Sequence, residues 1–389
     1  MWSPWIVVIK KEGNLFVRAI ILAGGRGSRL EPLTQHLPKP LIPFFGRPLI
    51  EHQIRWLASY GVTEIIISVG HFGSMIERTL GPTMCGAQLF YAHESQPLGT
   101  AGATAWALAQ YPTSETTLVM AGDCLTDYPL DYIINHFEHQ PVPVGIVLHR
   151  VEDARQFGVI EMDPRGRITR LIEKPTVIAG PQLVNTGIYI LKPGRLTWPP
   201  RRPLDFAYDL FPVLIARGEM AGLEVEGYWS DLGTLTQYRE SHFDVMRGRV
   251  MLPFDLDNDV SNIVVDSQAR IIEPVWLGDG VTIDAQATVG PNVVLGAGSY
   301  VGPWTHVENT VVGQSAFLGA GTRAHDAIVG DGVAFGGRCH VGPQSAIGAG
   351  TRIGWGTDVS PGAKIPANTR LAPKMRLGNR AHRGSAVTS

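Results

Sequence analysis

A chain of 389 residues is long for one compact core, and 44% hydrophobic with 17% charged residues describes a folded globular protein of two domains, not a disordered one. A formal net charge of −2 supplies no overall field for a nucleic-acid backbone or an anionic membrane, so neither is an expected partner. Three well-separated cysteines, Cys85, Cys124 and Cys339, make neither a disulfide framework nor a zinc spacing, and a reducing, cytoplasmic setting is the simplest one.

Residues 1–16 read as an extension: the apolar start lacks a basic leader and runs into Lys10, Lys11 and Glu12. No apolar run is long enough to span a bilayer. From residue 17 to about 250, short β-rich runs alternate with amphipathic stretches. Val17–Leu22, Glu64–Val69, Gln88–Tyr91, Thr117–Ala121 and Val144–His149 have strand character. Pro48–Ser59, Ser74–Leu80, Thr100–Gln110 and Leu130–His139 have helical periodicity, with Pro48 suited to a first turn. That alternation predicts a Rossmann-like, mostly parallel layered α/β domain whose ligands collect beyond the carboxyl ends of the strands.

Past residue 260 the pattern changes. Apolar residues recur every six positions from Val265 to Val307, step by five to Val312, and continue through Leu318 to Ala324. A second step of five leads to Val329, and the six-residue spacing resumes through Leu371. Glycine commonly follows the apolar residue, and a small or β-branched residue stands four places after it. Ordinary strands would show period two; period six is the mark of a hexapeptide-repeat parallel β-helix, expected over 260–374. Residues 375–389 are polar and unpatterned, and a flexible tail is expected there. The narrow coil has flat faces and open ends, so its expected role is structural: packing against the first domain and joining subunits into a homo-oligomer. Cutting the chain near residue 250 is then expected to change assembly more than chemistry.

The densest chemistry sits just after the first strand, where Leu22 and Ala23 lead into Gly24-Gly25-Arg26-Gly27-Ser28-Arg29-Leu30, followed by Pro38-Lys39-Pro40. A glycine-rich turn lets backbone N–H groups approach phosphate oxygens, and Arg29 and Lys39 add permanent cations. Leu30 stands where a dinucleotide fingerprint needs glycine, and no Gly-Lys-Ser/Thr of a P-loop follows. Further along come Leu98-Gly99-Thr100-Ala101-Gly102, Gly122-Asp123, Phe157-Gly158-Val159-Ile160, Glu173-Lys174-Pro175, Asn185-Thr186-Gly187 and Trp229-Ser230-Asp231.

In this order, over residues 17–248, these motifs resemble the sugar-1-phosphate nucleotidylyltransferases, several of which carry a hexapeptide-repeat second domain. The resemblance implies a left-handed β-helix and a reaction between an NTP and a sugar 1-phosphate that gives an NDP-sugar and pyrophosphate. It implies that Leu22, Ala23, Gly24, Gly25, Gly99 and Thr100 line the nucleotide while Arg29 and Lys39 grip its phosphates, with Arg29, Lys39 and Asp123 catalytic. Asp123 and Asp231 would hold Mg²⁺. Gly158, Glu173, Asn185 and Gly187 would surround the sugar, with Lys174 on its phosphate. Thr186 stands where the family usually has Ala. Within the family, the Gly99–Gly102 run is more similar to mannose-1-phosphate guanylyltransferases than to thymidylyltransferases. Glucose-1-phosphate thymidylyl-, uridylyl- or adenylyltransferase remains the alternative.

The residues also allow plainer readings: Asp123 as a cap or turn former, Asp231 as a surface turn residue, Lys174 as a solvated loop charge, and Cys124 as a small buried filler. Two rival functions remain open. The β-helix could add acyl transfer through His306, His325 or His340, although no long loop interrupts the repeat to build an acceptor pocket. The chain could instead be a catalytically silent regulatory subunit, although its cations and carboxylates are all present.

Overall fold

In a computed structural model, the structure describes residues 17–377 apart from 71, 178–179, 200–202, 254–255 and 257–260. The expected extension at 1–16 lies outside the described residues, as does the expected tail from 378 onward.

The strand Arg18–Ala23 forms the middle of a sheet because its alternate residues face two different cores. Ala19 and Ile21 join Ile65, Ile67, Leu118 and Met120 on one face, covered by the helices Leu49–Ser59, Gly73–Leu80 and Leu130–Glu138. Ile20 joins Ile66 and Val119 on the other face, under the helix Thr100–Gln110 and the segment Phe206–Ala216. Strands buried on both faces read as continuous apolar runs, here Ile-Ile-Leu and Ile-Ile-Ile.

Among the described residues the sheet has ten strands. Thr117–Ala121, Arg18–Ala23, Glu64–Val69 and Ala87–His93 lie side by side and parallel, as the alternating pattern requires. The second half departs from the expected parallel order. Gln182–Leu191 runs antiparallel to Thr117–Ala121, Val144–Val151 and Gly158–Met162, so the strands after residue 150 add a mixed wing. The reason is chain economy: Gly158–Met162 and Ile168–Glu173 are joined by a short turn, and such a link only allows antiparallel pairing.

The repeat folds into three parallel sheets of seven, seven and six short strands among the described residues. Val265, Ile283, Val301, Leu318, Phe335, Ile353 and Leu371 follow one another up one wall. The interior is apolar and narrow, filled by the six-spaced apolar residues with Val281, Ala287, Val293, Ala316, Val333 and Cys339 between them. The strand Arg376–Leu377 still pairs with Asp358–Val359, so the stack continues past the expected end at 374.

Glycine follows the apolar residue because the next coil passes directly over it. A Cβ on Gly348 would lie 2.4 Å from the amide nitrogen of Ala367, and one on Gly296 would lie 2.6 Å from that of Gln314. Three residues after most interior positions, the chain turns through a left-handed conformation, as at Gly280, Gln286, Asn292 and Gly298.

The third wall of the stack lies against the α/β domain. Trp276, Val294, Val311, Ile328 and Ala346 share one buried cluster with Leu30, Ile42, Phe44, Phe45, Leu49, Leu125, Tyr238 and Phe243. Phe44, Phe45, Tyr238 and the buried His52 and His242 form an aromatic core at this joint, with the Trp276 ring edge-on to Phe45 at 5.4 Å. The two parts are therefore joined by a hydrophobic seam, each large side chain of which contributes about 1.5–3 kcal/mol when fully buried.

Candidate functional site

At the carboxyl ends of the parallel strands, the glycine-rich turn leaves Ala23 and closes in a short helical turn, Ser28–Leu30. Gly27 has a positive φ of 66°, and a Cβ there would come within 2.8 Å of Lys39 Cβ, so glycine lets the turn lie on the lysine. The Thr34 hydroxyl donates to the Gly27 carbonyl at 2.8 Å and pins the loop. Gly25 has no heavy atom within 4 Å of its Cβ direction; the space in front of it is open. Arg29 is exposed, whereas Lys39 is buried at 8%.

A small antiparallel ladder brings two distant acids together. Trp229–Ser230 pairs with Leu125–Thr126, which places Asp231 at the same end of the ladder as Asp123. The Lys39 ammonium forms an ion pair with the Asp123 carboxylate and donates to the Asp231 carbonyl at 3.2 Å. Burial, then the charge of Asp123, pushes the Asp231 carboxyl above its ordinary range, with Lys39 and Arg29 opposing. Asp231 Oδ1 accepts from Gly233 N at 3.2 Å and from Gln237 Nε2 at 2.8 Å. Asp231 does shape a turn, through Gly233, but it is half-buried instead of lying at the surface, and the charge of Asp123 acts on it. Gly233 allows the approach: a Cβ there would meet Asp231 Oδ2 at 2.7 Å and Arg29 Nη2 at 3.2 Å. Cys124 is fully buried and its thiol is pushed up by burial, as a filler's would be.

These two carboxylates suit a hard divalent cation, which takes oxygen ligands and completes its shell with phosphate and water. The mutual repulsion that raises Asp231 is what such a cation would remove. Among the described residues no third His, Cys, Asp or Glu joins them in a metal-binding group.

The residues expected around the sugar gather on the mixed wing. Gly158 pairs directly with Glu173, and a Cβ at Gly158 would lie 2.7 Å from Glu173 Oε2. Asn185 sits at an irregularity in its strand, donating to Tyr189 Oη at 3.1 Å and accepting from Gly187 N at 2.9 Å. Lys174 has a positive φ of 46° and lies 3.6 Å from Glu173. The Trp229 indole spans the two groups, stacking edge-on against Phe157 at 5.2 Å and donating to the Thr186 carbonyl at 3.0 Å.

Gly99 and Thr100 have a tertiary task beyond the expected one. A Cβ on Gly99 would come within 2.5 Å of the Leu204 carbonyl oxygen, and Thr100 Oγ1 donates to Asp205 Oδ2 at 2.9 Å. The loop is thereby locked to the segment that leads into Phe206–Leu210.

Three residues at the site escaped the reading of the sequence. Glu94 accepts from the Ser68 hydroxyl at 2.9 Å and from Leu98 N at 3.0 Å, and its Oε1 lies 3.2 Å from the Cβ direction of Gly24. Its position just beyond the strand Ala87–His93 was the signal that could have found it. Gln53 donates to the carbonyls of Ala121 and Cys124, both at 2.8 Å, and so braces the turn that carries Asp123. Gln237 had no such signal.

Residues 18–247 match the protein-family model described as nucleotidyl transferase. The chain belongs to the nucleotidyl transferase family. Residues 274–309 match the bacterial transferase hexapeptide family of six repeats, in keeping with a left-handed parallel β-helix. Mannose-1-phosphate guanyltransferase beta-B of Xenopus laevis is 35% identical over 56% of this chain and 61% of its own length. The chain thus spans about three fifths of that relative, 61%. Mannose-1-phosphate guanyltransferase of Emericella nidulans is 30% identical over 71% of this chain and 74% of its own. A probable mannose-1-phosphate guanylyltransferase of Arabidopsis thaliana is 29% identical over 75% and 90%. Among solved structures, HddC from Yersinia pseudotuberculosis complexed with GMP-PN aligns with a TM-score of 0.52 at 24% identity, covering 59% of this chain and 99% of that one, a likeness of fold. Among the described residues of this nucleotidyl transferase no helix is long and apolar enough to cross a membrane.

The histidines considered for acyl transfer lie on the outer face of one β-helix wall. His325 is 3.5 Å from Glu308 and 3.2 Å from Asp326, His306 is 3.7 Å from Glu308, and His340 is 3.2 Å from Asp358. All three are about half exposed.

Proposed function

We propose that this chain transfers a guanylyl group from GTP to mannose 1-phosphate, giving GDP-mannose and pyrophosphate. The observation that carries the reading is the cluster of Lys39, Arg29, Asp123 and Asp231 beside an open glycine turn at the carboxyl ends of parallel strands. A phosphate oxygen of the sugar phosphate forms a bond to the α-phosphorus of GTP, the bond from that phosphorus to the bridging oxygen breaks, and pyrophosphate leaves with the electron pair. The nucleophile is already an anion, so no activated Ser, His or Cys is required. The work is to bring two polyanions together and neutralise them.

In this scheme the backbone from Leu22 to Gly25 lines the nucleotide, and Arg29 and Lys39 take the phosphates. Asp123 and Asp231 would hold Mg²⁺, which when bound supplies charge neutralisation at the reacting phosphates. Lys39, now paired with Asp123, offers its ammonium to the arriving polyanion. Glu173 and Asn185 would bind sugar hydroxyls and Lys174 the sugar phosphate. The choice of guanine rests on the named relatives and on Glu94, whose carboxylate keeps acceptor capacity beside Gly24 for donors such as those on a guanine edge. We place the enzyme in the cytoplasm as a homo-oligomer supported by the β-helix, a setting in keeping with its free cysteines.

Pyrophosphate release measured over a grid of common NTPs and hexose 1-phosphates tests the reading. GTP with mannose 1-phosphate should lead. A lead of about tenfold for dTTP or ATP with glucose 1-phosphate overturns the substrates; release from no pair overturns the activity.

A further inference from the structure

The two five-residue steps are the only breaks in the six-residue spacing of apolar residues between Val265 and Leu371. Both fall at one corner of the β-helix, in successive coils. From Leu277 onward the left-handed corner residue otherwise stands three places after the interior one; here Asn309 and Asp326 stand only two places after Val307 and Ala324. This corner is one residue shorter in both coils.

The helix Leu235–Met246 lies against it. Arg239 Nη1 donates to the Asp326 carbonyl at 2.6 Å, and Arg247 Nη2 donates to Asn292 Oδ1 at 3.0 Å, with Asn292 Nδ2 in turn donating to Asn309 Oδ1 at 2.8 Å. The Arg239 side chain is only 12% exposed, and its guanidinium also lies over the Phe243 ring at 5.9 Å. Tyr238 and Phe243 of the same helix are buried in the seam with Val311 and Ile328.

The other end of that helix leads straight to the acids. Thr234 caps it, accepting from Gln237 N at 3.2 Å, and its hydroxyl donates to Gln237 Oε1 at 2.9 Å. The Gln237 amide, its rotamer thus fixed, donates from Nε2 to Asp231 Oδ1. Leu232, between acid and helix, is fully buried at a positive φ of 37°, so the turn has little freedom to reorient Asp231 by itself.

We propose that Gln237 and Arg239 are positioning residues through which the β-helix orients Asp231. The shortened corner seats Arg239 and fixes the helix; the helix fixes Gln237; Gln237 occupies one oxygen of Asp231 and presents the other toward Asp123. The β-helix is on this account part of the catalytic machinery, although it touches no substrate. The inference rests on the proposed role of Asp231 as a metal ligand.

The test is Mn²⁺ binding to the full chain by electron paramagnetic resonance, alongside the Mg²⁺ dependence of pyrophosphate release. Gln237→Ala and Arg239→Ala should each weaken Mn²⁺ binding by about tenfold or more, the usual effect of removing a group that orients a ligand. Arg239→Lys, which keeps a cationic donor for the Asp326 carbonyl, should recover most of it. Thermal melts separate this from general damage: Gln237 is only partly buried, and Gln237→Ala should leave the midpoint unchanged. If Asp231→Asn abolishes Mn²⁺ binding while Gln237→Ala and Arg239→Ala leave it intact, the positioning role is wrong and the metal assignment stands. If the wild-type chain binds no Mn²⁺, or Asp231→Asn binds it as well as the wild type, the assignment and this inference fall together.

Discussion

In the sheet that starts at Arg18, a residue's neighbours come from far along the chain: Ile20 lies between Ile66 and Val119. In the β-helix every interior residue meets one a single coil away, as Ile283 meets Val301 and Val289 meets Val307. The difference sets what each region can be used for. A coil stacked on its neighbours repeats one apolar pattern, filled by Val, Ile, Leu, Ala or Phe, and its loops stay short. A sheet closed over long distances brings its loops to one edge, where Gly25, Lys39, Asp123 and Asp231 can meet. Glycine marks the contrast. In the coil it is required by contact, since a Cβ on Gly348 would sit 2.4 Å from the next coil, while at Gly25 nothing lies within 4 Å and the space is kept for a ligand.

The sharpest way to break this division is to separate the two regions. Cutting after residue 250 would expose Ile42, Phe44, Phe45 and Tyr238, which Trp276, Val294, Val311 and Ile328 now cover. The expected result is loss of soluble, folded catalytic domain, read from yield and circular dichroism, since several side chains worth about 1.5–3 kcal/mol each are uncovered together. The repeat alone suggested the reverse, a cut that changes assembly and spares the chemistry. A soluble, cooperatively melting fragment with normal turnover would restore that simpler picture.

A smaller effect separates the two kinds of glycine. Gly348→Ala should lower stability by about 1–3 kcal/mol through overpacking and leave the kinetics of the folded enzyme alone. Gly25→Ala should do the opposite, with an unchanged melting midpoint and a weaker apparent affinity for the nucleotide. Equal shifts in midpoint from both would erase the distinction.

The smallest effect concerns the seam itself. Burial holds His52 down to about 4 and His242 down to about 3, so both are neutral in the folded protein at neutral pH. The unfolded chain binds protons at both near pH 6.5, where the folded chain does not. Stability is therefore full above about pH 6.5 and falls as the pH drops toward 4. The carboxylates held low, Asp153 and Asp279, are exposed and act only below that window, while burial raises Asp231 and Asp331, whose proton uptake in the folded state opposes the decline. Melting midpoints taken from pH 8 to pH 5 should be flat and then decline; a flat profile throughout would mean that the two rings are not excluded from water as the joint requires.

Local chemistry explains how much of this was readable in advance. The strands Glu64–Val69 and Thr117–Ala121 were found to the residue, because apolar runs bounded by turn residues leave little choice. The repeat was legible because each coil obeys the same rule, and it was underestimated only at Leu377, one six-residue step past Leu371. The site residues were legible as motifs, but not their tertiary tasks. Nothing near Gly99 in the chain announces that Leu204 will press against it, and nothing near Asp231 announces that Gln237 will hold it.

The sequence by itself determined the elements up to about residue 150, the coil and the chemical character of the turn after the first strand, since all three depend on residues within a few positions of one another. Only the tertiary structure decided that the Trp229–Ser230 ladder sets Asp231 beside Asp123, that Glu94 stands by Gly24, and that the shortened corners of the coil receive Arg239. Each of these joins residues far apart in the chain, as Arg239 and Asp326 are at 87 positions. Such contacts are fixed by which apolar faces can be buried together, and no local pattern records that.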